Sequence, residues 1–127
     1  MAKIRVLVVD DNINFLQLAQ LALGSEDYEV YTATDGQDGF EQAKKLKPDV
    51  ILMDVMMPRV SGLELLRMML SEEDVRAIPI IVMTASHFDP STEQVFKQEG
   101  NVAGFLQKPC PVNILRDQIA LALKRPL

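Results

Sequence analysis

The sequence predicts an α/β fold built on a doubly wound, open parallel sheet. Three observations carry that expectation. Short apolar runs alternate with helical patterns five times along the chain. The runs at 4–9, 49–53 and 79–84 are nearly continuous in Val, Ile, Leu and Met, as in strands covered by helices on both faces. The connections between them are long enough to hold a helix, and crossovers of that kind are right-handed. In such sheets, ligands sit beyond the carboxyl ends of the strands, where the strand order reverses.

"IRVLVV" (4–9) reads as the first strand and runs into Asp10-Asp11. "NINFLQLAQLAL" (12–23) is rich in helix formers, and Gly24 suits its C-terminus. "YEVYTA" (28–33) alternates as a strand does. Asp35 can cap a helix from about Gly36 to Lys45, with Phe40, Ala43 and Leu46 on one face, and Pro48 blocks its continuation. "DVILM" (49–53) is the third strand.

Ser61 followed by Glu64 is a capping-box pattern, which opens a helix to about Ser71. "PIIVMT" (79–84) is the fourth strand. Asp89 then Pro90 reads as a cap and a proline at the first helical position, and Gly100 stops that helix after about Glu99. "GFLQ" (104–107) is a short fifth strand, and Pro111 can start a last helix to about Lys124.

The bulk properties bound the function. With 127 residues, the chain has the size of one domain, and we expect a single domain over 1–127 with its core at about 4–123. A chain of this length buries roughly two-thirds of its unfolded surface and needs no disulfide or structural metal to fold. The net charge of −5 argues against direct binding to nucleic acid. No apolar stretch reaches the length that a bilayer requires, so no membrane partner is expected. The single cysteine, Cys110, excludes an internal disulfide and fits a reducing cytoplasm. It reads as a small packing residue, and His87 reads as a solvated loop residue.

The polar residues that interrupt this pattern fall at strand ends. Asp10 and Asp11 follow the first strand, Asp54 ends the third, Thr84 the fourth and Lys108 the fifth. Parallel strands put all of them on one edge of the sheet. Three carboxylates packed together repel unless a cation sits among them. Oxygen ligands select Mg²⁺ or a similar hard ion, and no His or Cys stands at zinc-ligand spacing. Asp11, Asp54 and a backbone carbonyl would leave such an ion room for waters and a phosphate oxygen. An Asp carboxylate is also a nucleophile toward phosphorus. Phosphoryl transfer further needs positive charge and donors around the equatorial oxygens, which the ion, Lys108 and Thr84 can supply.

The motifs "VLVVDDN" (6–12), "ILMDVMMPRVSGLELL" (51–66), "PIIVMTA" (79–85) and "GFLQKP" (104–109) together resemble the receiver domain of two-component response regulators. The resemblance runs from about Ile4 to Leu123. It implies a CheY-like, flavodoxin-like (βα)5 three-layer sandwich with strand order 2-1-3-4-5. It implies that Asp54 is the phosphoacceptor and that Asp11 ligates Mg²⁺ directly. Asp10 would support the ion, and Met56 would offer its backbone carbonyl. Lys108 would pair with the phosphoryl group, with a cis bond to Pro109. Thr84 would bond a phosphoryl oxygen, and Phe105, at the switch-aromatic position, would turn inward behind it. The face made by helix 4, strand 5 and helix 5 would then change.

The implied donor is a sensor histidine kinase or a His-containing phosphotransfer protein, with Ile13, Asn14 and Phe15 as candidate contacts. The implied recipient is a downstream effector or an output domain outside this sequence. The chain would not be an enzyme beyond self-phosphorylation from phosphodonors and autodephosphorylation. It departs from the family in a slightly long interval between Thr84 and Lys108, with extra residues expected in 87–92 and 100–104, and in Cys110 where Phe often follows Lys-Pro.

Two other readings stand beside this one. A phosphorylation-independent interaction module of the same fold would lack the acceptor, the acid pair, the Thr or the Lys, and none is missing. An Asp-nucleophile phosphatase of the haloacid dehalogenase class would carry Asp-x-Asp on its first strand, where this chain has Asp10-Asp11-Asn12.

Overall fold

The structure is a computed structural model, and it describes residues 3–24, 27–55, 61–84, 90–108 and 110–124. Five strands and five helices alternate: β1 Ile4–Val9, α1 Ile13–Leu23, β2 Tyr28–Ala33, α2 Gly36–Leu46, β3 Val50–Asp54, α3 Gly62–Leu70, β4 Ile80–Thr84, α4 Pro90–Lys97, β5 Val102–Gln107 and α5 Val112–Lys124. All pairings are parallel and the strand order is β2-β1-β3-β4-β5, as the resemblance implied. The order reverses between β1 and β3, so the crevice at their carboxyl ends is the expected ligand position.

Strand alternation divides the core in two. Val6, Val8, Leu52, Ile81 and Met83 point toward α1 and α5, where they meet Leu16, Leu23, Leu115 and Ile119. Leu7, Val9, Ile51, Met53 and Val82 point the other way, toward Ala43 of α2, Leu65 and Met69 of α3 and Phe96 of α4. Each fully buried aliphatic side chain contributes roughly 2 kcal/mol, so these two layers hold the sheet edge rigid. The helix α2 comes close enough that a Cβ on Gly39 would lie 2.9 Å from Val9 Cγ1.

The caps of α2 and α3 follow the sequence signals, and the structure adds Asn12 as the cap of α1. Asn12 and Asp35 accept backbone N–H groups in the first turns of α1 and α2, and Ser61 and Glu64 form the reciprocal capping box of α3.

Two expectations need correction. The strand β5 starts at Val102 rather than 104, because Ile80 N–H donates to Asn101 O (2.8 Å) and Val102 pairs with Ile80. The register then skips Ala103, a bulge that absorbs one residue of the long Thr84–Lys108 interval. The helix α4 ends at Lys97 rather than Glu99, since Glu99 N–H bonds Phe96 O and tightens the last turn. Gly24 ends α1 as expected, with its N–H bonded to Gln20 O (2.7 Å) at φ −60°; a Cβ there would lie 2.4 Å from Gln20 O. The left-handed C-cap belongs to Lys47 after α2, at φ 48°.

Candidate functional site: an acidic crevice at the sheet edge

The turn from β1 into α1 sets the first two carboxylates. Asp10 N–H donates to Ala33 O (3.0 Å) at the end of β2, and Asp10 Oδ1 accepts the Asn12 N–H at 2.9 Å. Asn12 in turn caps α1 through the Phe15 N–H (3.2 Å). This chain of local bonds turns Asp10 inward, fully buried, and leaves Asp11 exposed at the rim.

Asp54 is itself the last residue of β3, paired with Met83 of β4 and only 8% exposed. Just beyond it, Gly62 N–H bonds Val55 O (3.1 Å). A Cβ on Gly62 would lie 3.0 Å from both Asp54 O and Val55 Cα. The glycine therefore lets the N-terminus of α3 press against the backbone that carries Asp54. Sequence reading had passed over this role, although a Gly directly after a cap residue is its signal.

Lys108 enters from the far strand. Its backbone N–H donates to Thr84 O (2.7 Å), tying the ends of β5 and β4 together. Its ammonium forms an ion pair with Asp10 Oδ2 and stands 3.8 Å from Asp54 Oδ1. It also lies 4.2 Å from the centroid of the Phe15 ring.

One oxygen from each of Asp10, Asp11 and Asp54 lies within 4.8 Å of the other two. The oxygens of two ligands on opposite sides of a Mg²⁺ ion are roughly 4 Å apart, so small side-chain movements suffice to close the set around one ion. The donors are all hard oxygens, which fits Mg²⁺ and not zinc. Electrostatics point the same way. Burial, and next the Asp10 carboxylate, push the Asp54 carboxyl from 3.8 up to about 6. Lys108 pulls it down, Asp11 pushes it up again, and the Val55 N–H lowers it. Among the described residues, the crevice gathers three carboxylates around the Lys108 ammonium, which Asp10 already engages.

Thr84 is buried at the end of β4. Phe105 lies opposite Val82, two residues before Thr84, so alternation puts Phe105 and Thr84 on the same sheet face. There, Phe105 is half-buried and meets the Phe96 ring of α4 edge-on, with centroids 6.4 Å apart. The structure thus brings together Asp10, Asp11, Asp54, Thr84 and Lys108 at one edge, with Phe105 behind Thr84. Met56, His87, Asp89 and Pro109 lie outside the described residues. Among the described residues, no helix is long and apolar enough to cross a membrane.

Comparison with known proteins agrees with this geometry. Protein PilH from Pseudomonas aeruginosa is 32% identical over 105 residues, covering 83% of this chain and 85% of that protein. The response regulator PleD from Caulobacter vibrioides is 37% identical over 105 residues, 83% of this chain but 23% of PleD. Among solved structures, the receiver domain of the sensor histidine kinase PA1611 from Pseudomonas aeruginosa PAO1 superposes with a TM-score of 0.86 at 27% identity. That match covers 98% of this chain and 100% of the other, and the PA1611 structure holds a magnesium ion in its active-site cleft. The profile of the response regulator receiver domain matches residues 6–120, nearly all of the sheet and its helices, and the chain belongs to that family, the signalling domain of two-component systems.

Proposed function

We propose that this chain, with residues 4–123 as its one receiver core, accepts a phosphoryl group onto Asp54. The donor is the phosphohistidine of a sensor histidine kinase or a His-containing phosphotransfer protein. The observation that carries the reading is the convergence of three carboxylates and one ammonium, with Lys108 Nζ 3.8 Å from Asp54 Oδ1.

The residues divide the work. An Asp54 oxygen forms the new bond to phosphorus, and the phosphorus–nitrogen bond of the donor breaks, with the imidazole leaving as the nucleofuge. The Asp10 carboxylate holds the Lys108 ammonium in the crevice, from which it reaches an incoming phosphoryl oxygen. The Thr84 hydroxyl, at the end of β4, serves another. Asp11 and Asp54, with the Met56 carbonyl, would hold Mg²⁺, and Asp10 would support it. When bound, the ion offsets the charge of the acids and of the phosphoryl oxygens. The magnesium described for the PA1611 receiver domain supports this assignment.

Signalling follows from the position of Phe105. Pulling Thr84 toward the phosphoryl group vacates space on the face it shares with Phe105, and the ring turns further inward. The face made by α4, β5 and α5 then favours its second arrangement, by as much as the new phosphoryl contacts stabilise it. The recipient is an effector protein or an output domain, and the setting is cytoplasmic, with no nucleic acid or membrane as direct partner. The chain acts on no external substrate beyond its phosphodonor. Met56, apolar and two residues after the acceptor, would give water no orientation toward the aspartyl phosphate, so Met56→Asn is expected to change the dephosphorylation rate.

Incubation with Mg²⁺ and acetyl phosphate, followed by location of the added mass, tests the reading. Labelling confined to Asp54 is the expected result. An unlabelled wild type would reject it in favour of a phosphorylation-independent interaction module, and full labelling of Asp54→Asn would reject Asp54 as the acceptor.

A further inference from the structure

We infer that Phe15 is a positioning residue for Lys108, holding the ammonium over its ring face so that the donors of Lys108 stay aimed at Asp10 and Asp54. The inference rests on the phosphoacceptor reading and deepens it. Lys108 Nζ lies 4.2 Å from the Phe15 centroid, well inside the range of a cation over a π face. The Lys108 side chain is 13% exposed, so the ring replaces most of the water that would otherwise solvate its outer flank.

An ammonium has three N–H groups and no preferred azimuth, so a flexible lysine between two carboxylates can drift toward solvent. The inner flank of Lys108 is taken by Asp10 and faces Asp54, and the ring closes the outer one. The ring itself is fixed. Phe15 N–H is tied to the Asn12 cap, Asn12 N–H is tied to Asp10, and Leu16 anchors the next position in the core. The same turn that buries Asp10 therefore sets the ring beneath the ammonium that Asp10 pairs with. Phe15 also lines an apolar cleft of about 300 Å³ with Leu18, Val112 and Leu115, and Lys108 stands at that cleft.

A ring that acts through its negative face can be distinguished from one that only fills space. Replacing Phe15 with increasingly fluorinated phenylalanines keeps its shape and removes the negative charge from its face. With saturating Mg²⁺ and acetyl phosphate, the labelling rate of Asp54 is expected to fall stepwise along the series, to roughly one-third to one-tenth with the fully fluorinated ring. Phe15→Tyr, which keeps the face, should retain the rate.

A second readout needs no phosphorylation. The Lys108 Hε resonances should be shifted upfield by the ring in wild type, and the shift should vanish in Phe15→Leu. Equal rates across the fluorinated series, even with a slow Phe15→Leu, would reduce Phe15 to packing and overturn the inference. So would unshifted Lys108 resonances in wild type. Shifted resonances in a protein that takes no label would leave the contact standing and reject the phosphoacceptor reading instead.

Discussion

The Lys108 ammonium pairs with Asp10 and stands 3.8 Å from Asp54, so one cation bridges the carboxylates of two neighbouring strands. Asp10 is fully buried, and its remaining oxygen is occupied by the Asn12 N–H. Removing the lysine leaves a buried charge without its partner, which is more costly than losing a surface pair. Lys108→Met is therefore expected to lower stability by about 3 kcal/mol at pH 7.5 in a metal chelator. Saturating Mg²⁺ should recover part of that loss. Urea denaturation with and without Mg²⁺ measures both quantities, and a chelator-independent midpoint would contradict the arrangement.

The Asp54 carboxyl, raised from 3.8 to about 6, links metal, proton and stability. A carboxyl whose folded value is raised holds its proton more tightly in the folded state. Its stabilising contribution is full below about 3.8 and is lost as the pH rises through about 6. Metal-free protein should thus lose stability between those values, and Asp54→Asn should be more stable than wild type at pH 7.5 but not at pH 4. Mg²⁺ binding should weaken as the pH falls below about 6, because the proton competes for the same oxygens. Thermal denaturation across this range, with and without Mg²⁺, reads the crossing directly. A Mg²⁺ effect of equal size at pH 5 and pH 7.5 would oppose it.

Gly62→Ala tests how closely α3 is pressed against the acceptor strand. The added Cβ meets backbone atoms of Asp54 and Val55 at 3.0 Å, and backbone cannot rotate away. A loss of about 1–3 kcal/mol is expected, with slower labelling of Asp54. Ser61→Ala is the control. It removes the capping box and costs about 1 kcal/mol. It leaves the Asp54 backbone in place, so the labelling rate should not change. Equal labelling rates in the two variants would show that the close approach does not matter to the site.

The strand ends were legible in the sequence because parallel strands put every carboxyl end on one edge. Asp10, Asp11, Asp54, Thr84 and Lys108 needed only that rule to be gathered. The capping signals at Asp35 and Ser61 were equally direct, since each places a side-chain acceptor at a helix start. What escaped was set by tertiary geometry. The bulge at Ala103 depends on how β5 pairs with Ile80 and Ile81, which no local pattern records. Lys47 adopts the left-handed cap that a glycine usually provides, and Pro48 just after it and the lysines of the last turn mark a helix end without marking that conformation. Phe15 looked like a partner-facing residue of the first helix. Its place under Lys108 joins opposite ends of the chain, so sequence spacing carries no trace of it.

The most direct measurement is a crystal structure grown with Mg²⁺ and a phosphoryl mimic such as beryllium trifluoride. The account predicts one ion at about 2.1 Å from Asp11 and Asp54 oxygens. It also predicts the mimic bonded to Asp54, with Lys108 Nζ on one fluoride and the Thr84 hydroxyl on another. An ion bound elsewhere, or a mimic absent from Asp54 while Lys108 remains on Asp10 alone, would contradict it.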